Sequence, residues 1–194
     1  YTNKDTGNLA SNAAHVDLTV QGVNDAPVAQ LNTYATDAST VDAAIGSGGY
    51  LVGNIITNSD SVAGADSDPD HNDVLTMNTL SNATLTIAGN AVALTAVSGS
   101  LPAGEVAEYQ FTYEGNTGTL IVFDTGDVRL EGTSGNLFLG LAAGEEAVFG
   151  FDYTNKDTGN LVSNAAHVDL TVQGVNDGPV AASNTYVTDA SAVD

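Results

Sequence analysis

Cysteine and tryptophan are absent from this chain of 194 residues, and methionine occurs once. Because there is no cysteine, the fold cannot depend on disulfide bonds. The hydrophobic core must instead come from aliphatic side chains, chiefly Val, Leu and Ile. A chain of this length is long enough to bury such a core.

Positive charge is almost absent as well. Lys4, Arg129 and Lys156 are the only Lys or Arg residues, against 24 Asp and Glu, which gives a net charge of −21. Nucleic acid and anionic membrane surfaces are disfavoured as partners, because the chain has no basic face that could release their counterions. No apolar run is long enough to span a bilayer, so membrane insertion is not expected.

The excess of carboxylates points to bound cations. At this charge density, self-repulsion opposes a compact state unless cations neutralise it. Ca²⁺ suits oxygen ligands and is abundant outside cells, so calcium-binding sites and an extracellular location are expected. Clustering of the acidic residues favours specific sites. An acidic surface without specific sites is the alternative.

An internal repeat is the strongest pattern in the sequence. Residues 1–42 return as residues 153–194, at an offset of 152, with 36 of the 42 positions identical. A repeat of this kind is typical of a tandem array, in which each unit contacts its neighbours. The copied stretch spans a joint: a closing hairpin, a link and the first strand of the next unit. Neighbouring repeats of the same chain are therefore the expected partners.

The chain is predicted to be all-β, without a segment of helical period. Short runs rich in β-formers alternate with Gly, Asn, Asp and Ser, which favours a sandwich. The predicted strands are Tyr50–Thr57, Val74–Leu80, Ala83–Ala88, Ala91–Val97, Val106–Tyr113, Thr119–Phe123, Val128–Glu131, Asn136–Leu141, Ala147–Tyr153 and Ala165–Val175.

Two sequences of Asn-Asp-x-Pro divide the chain. We call Val23–Val28 the N-terminal link and Val175–Val180 the C-terminal link. Proline stops strand pairing and holds the preceding residue extended, so each link is expected to be short and stiff. The predicted units are residues 1–24, the closing hairpin of a preceding repeat; 25–176, one complete repeat; and 177–194, the start of the next repeat.

Two strands carry aromatic residues at every second position. The first has Tyr109, Phe111 and Tyr113, and the second has Phe149, Phe151 and Tyr153. Alternate positions of a strand share one face, so these rings are expected on the core side. A surface platform for sugar binding is the alternative.

The densest group of carboxylates lies in residues 58–73, which we call the acidic loop. Its candidate calcium ligands are Asp60, Asp66, Asp68, Asp70 and Asp73. The spacing resembles the start of an EF-hand, but His71 and Met77 occupy the positions that need Gly and Glu. Calcium in another loop geometry is predicted, and a solvated acidic loop is the alternative.

The links supply a second candidate calcium site. Its residues are Asn24 and Asp25, their copies Asn176 and Asp177, and Asp5 with its copy Asp157 in the flanking segments. An ion that bridges carboxylates across a joint would turn a flexible hinge into a rigid one. A plain Asn-Asp turn is the alternative.

Enzymatic activity is not expected. The three histidines, His15, His71 and His167, are not accompanied by a Gly-x-Ser-x-Gly motif or by a phosphate-binding loop. Carboxylate pairs are common only because the whole chain is acidic.

The repeat resembles the VCBS or cadherin-like repeats of bacterial proteins. The resemblance lies in the Leu141–Ala147 turn with the Phe149–Tyr153 strand, in Val168–Val180, and in Asn32–Asp37 with Gly53–Asn58, the acidic loop and Leu75-Thr76. It implies an immunoglobulin-like β-sandwich, repeated many times in large secreted adhesins of the RTX type that mediate surface attachment and biofilm formation. It also implies calcium at Asp25 and Asp177 in the links and at Asp68, Asp70 and Asp73 in the loop.

These patterns favour a structural function. The chain is expected to be an extender repeat that holds a distal binding domain away from the bacterial cell surface. Two alternatives remain: a carbohydrate- or partner-binding module, and a subunit of a self-assembling extracellular filament that donates a strand to its neighbour.

Overall fold

The computed structural model describes residues 1–57, 64–179 and 181–186. Its strands and helix all lie between residues 32 and 173, inside the two links. They are β1 Asn32–Asp37, α1 Ala38–Ile45, β2 Tyr50–Asn54, β3 Thr76–Ile87, β4 Asn90–Ala91, β5 Thr95–Ala96, β6 Glu105–Tyr113, β7 Asn116–Phe123, β8 Asp127–Gly132, β9 Glu146–Lys156 and β10 Ala166–Gln173.

The strands form two five-stranded sheets. The first has the order β1-β10-β9-β3-β4 and the second has the order β2-β8-β7-β6-β5. Side chains from both sheets belong to one buried cluster. The prediction of a mostly β chain is confirmed, and the architecture is consistent with a β-sandwich.

The direction of β1 decides where the two links lie. β1 pairs with β10 in parallel, from Asn32 opposite Val168 to Asp37 opposite Gln173. The chain therefore enters β1 at one end of the first sheet and leaves β10 at the other. We call these the N-terminal and C-terminal ends. The turn between β9 and β10 lies at the N-terminal end, because β9 runs antiparallel to β10.

The core holds four of the six predicted aromatic residues, while Tyr109 and Tyr113 are half-buried and pack against it. Phe149, Phe151 and Tyr153 of β9 are at most 1 % exposed, and Phe111 of β6 is 3 % exposed. Phe111 and Phe149 meet edge to face, with their ring centroids 5.4 Å apart. Such contacts add to the free energy gained from burying the rings. These aromatic residues therefore serve the core, as predicted.

The prediction that the chain lacks a helix is wrong, because α1 follows β1 directly. Asp37 is its N-cap and accepts a hydrogen bond from the Thr40 N–H. The helix buries Ala38, Val41, Asp42 and Ile45, a spacing that places one face against the core. None of the helices in the described part of the chain is long and apolar enough to cross a membrane.

The predicted strand Asn136–Leu141 is also wrong. Its backbone bonds locally, because the Leu141 N–H donates to the Phe138 carbonyl oxygen. The Phe138 N–H donates to the carboxylate of Asp42 on α1, at 3.1 Å. The segment is thus held by the helix that the sequence reading missed. Its side chains Leu137, Phe138 and Leu141 are nevertheless buried.

Two other predicted boundaries shift in the structure. Val74–Leu80 and Ala83–Ala88 merge into β3, which is interrupted by irregularities in its pairing with β9. Asn82, at one of these irregularities, has a φ of 53°. Ala91–Val97 divides into β4 and β5, which belong to different sheets. The remaining predicted strands lie within one to a few residues of β2, β6, β7, β8, β9 and β10.

The first copy of the repeated turn adopts the same local structure as the second. The Leu9 N–H donates to Asp5 Oδ1 at 2.9 Å, and the Leu161 N–H donates to Asp157 Oδ1 at 2.8 Å. The bridge between Lys4 and Ala10 has its counterpart between Lys156 and Val162. Local sequence therefore determines this turn, whether or not a sheet surrounds it.

Candidate metal centre

The N-terminal link lies along the acidic loop. The Asp25 N–H donates to Asp70 Oδ2 at 2.5 Å, and Val28 and Ser67 exchange backbone hydrogen bonds of 2.8 and 3.1 Å. These contacts join segments about 40 residues apart in sequence. The described part of the acidic loop thus packs against the N-terminal link through Ser67 and Asp70.

The N-terminal link also contacts the turn between β9 and β10. Asn24 Nδ2 donates to Asp157 Oδ2 at 2.7 Å. Two hydrogen bonds join Ala29 to Asn164. The Ala29 N–H donates to Asn164 Oδ1 at 3.0 Å, and Asn164 Nδ2 donates to the Ala29 carbonyl oxygen at 2.9 Å. The link and the residue that follows it therefore contact both the acidic loop and the β9–β10 turn.

Asp66 ties the acidic loop to the core. Its carboxylate accepts hydrogen bonds from the Gln30 N–H at 2.7 Å, the Tyr153 hydroxyl at 2.9 Å and Asn155 Nδ2 at 2.6 Å. Burial raises the pKa of Asp66 despite these donors. Burial and the Asp66 charge also raise the pKa of the Tyr153 hydroxyl. The structure gives Asp66 a positioning role in this network.

Asp68, Asp73 and Asp157 converge at the N-terminal end of the sandwich. One carboxylate oxygen from each lies within 4.8 Å of the other two. At an effective dielectric constant of about 20, each pair of unit charges at that separation repels by about 3–4 kcal/mol. None of the salt bridges among the described residues reaches these three side chains. The cluster could hold a metal ion.

Two oxygen atoms in this region have no hydrogen-bond partner within the described part of the chain. They are Asp68 Oδ2 and Asn155 Oδ1, and both atoms are buried. Asn155 lies on β9, and Asp157 follows the last residue of that strand. The two residues are two positions apart, and alternate side chains of a strand share a face. Buried oxygens without donors are costly, and Asp68, which carries one of them, belongs to the carboxylate cluster.

The donor set suits a hard cation. Ca²⁺ takes six to eight oxygen ligands from carboxylates, carbonyls and water. The three carboxylates of Asp68, Asp73 and Asp157 offer oxygen only, while Thr158 donates a hydrogen bond to Asp73 Oδ1 and orients that side chain. Among the described residues, Asp68, Asp73 and Asp157 form the one group of three potential ligand side chains that are close enough to share an ion.

The predicted ligands are distributed over several environments. Asp25 and Asp70 lie beside the cluster and bond to each other through the Asp25 N–H. Asp60 lies outside the described residues. Asp5 belongs to the first, exposed copy of the turn. Asn24 donates to Asp157, the copy of Asp5 in the turn between β9 and β10.

Asn176 and Asp177 lie at the C-terminal end and are both exposed. Asp177 lines a small cavity of about 70 Å³ together with Asp42, Leu139 and Val175. Burial raises the pKa of Asp42, and the charge of Asp177 contributes to this shift. Within the described residues, Asn176 and Asp177 lie apart from the metal-competent cluster.

Three residues of this region were missed by the sequence reading: Asn155, Thr158 and Asn164. Asn155 follows the aromatic alternation of β9, and the same alternation assigns it to the buried face. No sequence signal indicates the contacts of Thr158 and Asn164, because their partners are more than 80 residues away. Those contacts arise from the sheet topology.

No protein-family model, curated protein sequence or solved structure matches the chain.

Proposed function

We propose that this chain is part of a tandem array of β-sandwich repeats that serves as the structural extender of a large secreted bacterial adhesin. Calcium at the links would stiffen the array. The observation that carries the proposal is that one sequence occurs twice, once built into a sheet and once without one.

The two copies of the β10 sequence differ sharply in burial. Val168, Leu170 and Val172 are at most 1 % exposed. Their identical counterparts, Val16, Leu18 and Val20, are 68, 86 and 84 % exposed. Each buried side chain of this size contributes about 1.5–3 kcal/mol. A segment with this apolar face requires a sheet, and a preceding repeat would provide it.

Differences between the copies follow the burial pattern. Positions 26, 31, 35 and 40 differ between the copies and are exposed, while the differing position 30 is partly exposed. Every buried position between residues 27 and 42 is identical in the second copy: Pro27, Ala29, Asn32, Tyr34, Ala38, Val41 and Asp42. The positions that pack in the core are thus the ones that the two copies share, which supports a repeated unit.

The strand order supports an immunoglobulin-like sandwich. In such a fold, the neighbouring strands β10, β9 and β3 would take the places of G, F and C, and β2, β8 and β7 those of B, E and D. The parallel pairing of β1 with the last strand closes the repeat between its two links.

Calcium would act at the point where one repeat joins the next. An ion bound by Asp68, Asp73 and Asp157 would connect the acidic loop to the β9–β10 turn. It would thereby fix the two segments to which the N-terminal link is hydrogen-bonded, through Asp70 and Asp157. The proposed role of the ion is to limit bending at the joint.

A strand-donating filament subunit is a second candidate. The exposed apolar face of residues 14–21 would suit donation to another molecule as well as membership of a preceding repeat. The mass of the native polypeptide under denaturing conditions separates the two. An extender predicts a chain many times longer than one repeat, whereas a polypeptide of this size would support the filament.

The calcium site is tested by comparing Asp157→Asn with Asp5→Asn in the 194-residue chain. The two residues share a sequence and a turn, but Asp157 alone faces Asp68 and Asp73. An ion that binds only the folded state raises its stability by about 2.7 kcal/mol at a hundred times its dissociation constant. Calcium should raise the melting temperature of the wild type and of Asp5→Asn, and much less that of Asp157→Asn.

Stiffening of the array requires a longer chain. Small-angle scattering of a protein with several repeats should give a larger maximum dimension in calcium than in chelator. Identical melting temperatures and identical dimensions in the two solutions would refute calcium rigidification. A calcium response that Asp157→Asn leaves intact would place the ion elsewhere.

A further inference from the structure

The parallel pairing of β1 with β10 has a mechanical consequence. β1 begins at the N-terminal end of the sandwich, immediately after its link, and β10 ends at the C-terminal end, immediately before the other link. A tensile force applied through the two links therefore pulls the two strands past each other along their axes. All six residue pairs of the β1–β10 ladder carry the load together.

Contacts before β1 add to this ladder. The backbone of Ala29 is bonded on both its N–H and its carbonyl to Asn164, next to the start of β10. The Gln30 N–H is bonded to Asp66, which the Tyr153 hydroxyl of β9 also contacts. The force thus reaches β1 only after crossing hydrogen bonds to both neighbours of the link.

The other end has a comparable anchor. The Gly174 N–H, just after β10, donates to the Glu145 carbonyl at 2.8 Å. A methyl group on Gly174 would lie 2.2 Å from the Ala142 carbonyl oxygen, which shows how closely the backbones approach. The chain leaving β10 is therefore held against the loop that precedes β9.

We propose that the β1–β10 ladder is the force-bearing element of the repeat and is loaded in shear when the array is under tension. The proposal rests on the proposed function only for the source of the tension. Shear requires the ladder to break as a unit, whereas separation from one end breaks it one residue pair at a time. The repeat should therefore resist a force applied through its two links far better than a force that pulls the starts of β1 and β10 apart at the same end.

Single-molecule force spectroscopy tests this with two pairs of handles. The chain has no cysteine, so paired substitutions attach handles at defined sites. Ala26→Cys with Gly178→Cys loads the ladder through both links. Ala26→Cys with Ala165→Cys pulls the starts of β1 and β10 apart at the same end. Ala26, Ala165 and Gly178 are exposed, so both variants should keep the same urea midpoint.

The first pair should unfold at a peak force several-fold higher than the second. Equal peak forces in the two geometries would overturn the proposal. Each geometry is measured in calcium and in chelator. If neither peak force changes on chelation but the first pair still unfolds at the higher force, the calcium site is refuted. The ladder then remains the load-bearing element.

A disulfide lock provides an independent test. Ala35 and Thr171 are directly opposed in the ladder, so Ala35→Cys with Thr171→Cys can close it. With the chain held by tags at its termini, the oxidised lock should abolish the main unfolding peak, since the sequence between the cysteines stays closed. The matched control joins Thr112 and Thr117, opposed on β6 and β7, and should leave that peak in place. A main peak unaffected by the ladder lock would contradict the proposal.

Discussion

Truncation of one leucine in each copy of the β10 sequence gives a matched comparison. Leu170→Ala removes a side chain that is 1 % exposed, between the two sheets. Leu18→Ala makes the same change in the same local sequence, where the side chain is 86 % exposed. The two variants therefore differ only in the tertiary surroundings of the residue.

The expected magnitudes follow from burial. A Leu→Ala change in a packed core costs about 2–5 kcal/mol, because the lost transfer free energy is increased by the cavity that remains. An exposed substitution stays within about 0.5 kcal/mol. Leu170→Ala should thus reduce the free energy of unfolding by at least about 2 kcal/mol, and Leu18→Ala should leave it nearly unchanged.

Urea denaturation followed by tyrosine fluorescence or circular dichroism measures both variants. With a slope of about 1–3 kcal/mol per molar urea, Leu170→Ala should lower the midpoint by at least about 0.7 M. Equal shifts in the two variants would show that residues 14–21 are packed in a core within this chain. That result would refute the assignment of this segment to a separate repeat.

The same substitution becomes a test of the array when the chain is extended. In a protein that includes the preceding repeat, Leu18 should acquire the surroundings of Leu170. Leu18→Ala should then cost as much as Leu170→Ala costs in the shorter chain. A cost that stays near zero would mean that the preceding sequence does not build a second sandwich.

Three further predictions concern single contacts. Tyr153→Phe should reduce the free energy of unfolding by about 1–3 kcal/mol, because it leaves buried hydrogen-bond partners unsatisfied. Tyr1→Phe, the same change at the exposed copy, should leave the free energy unchanged. Equal effects of the two variants in chemical denaturation would contradict this prediction. The hydrogen bond that the His167 ring donates to Asp152 raises the pKa of His167. The stability from this pair is therefore complete below the unfolded pKa of 6.5 and is lost as pH rises through the folded value. Asp152→Asn should lower the titration midpoint of His167 in NMR spectra, and an unchanged midpoint would exclude the contact. Gly118→Ala places a methyl group 2.3 Å from the buried ring of Phe111 and should lower the free energy of unfolding by about 1–3 kcal/mol. An unchanged free energy would show that the core can expand at this position.

The strands that the sequence predicts best are those with a clear alternation. Val168, Leu170 and Val172 alternate with polar residues, and β10 buries this face. The aromatic alternation of β9 is equally regular and equally buried. In both strands, the pattern reflects one face in the core and the other in solvent, so the local sequence contains the necessary information.

The elements that were missed depend on short or distant signals. α1 buries positions 38, 41, 42 and 45, which is a helical spacing, but it extends over just eight residues. Asn136–Leu141 has the apolar composition of a strand, yet its Phe138 N–H bonds to Asp42, 96 residues away. Composition predicts burial in this segment correctly, while the backbone conformation depends on the helix.

The candidate metal site could likewise be predicted only in part from the sequence. The clustering of Asp66, Asp68, Asp70 and Asp73 is visible in the sequence, but their different roles are not. Tyr153 and Asn155 engage Asp66 from another strand, and Asp157 joins Asp68 and Asp73 from the adjoining turn. Sheet topology alone determines which carboxylates meet, so the acidic loop could be predicted and its division of roles could not.

The offset of 152 residues between the copies has a consequence at the level of the gene. Recombination between two such copies adds or removes one period wherever the exchange occurs within the matched stretch. The product keeps every strand in its original order, because the exchange joins aligned positions. Its core should be preserved, since the buried positions between residues 27 and 42 agree in the two copies. The duplicated unit need not begin or end at a link. If the chain belongs to an array, as proposed, a single such event would change the length of the array by a whole repeat.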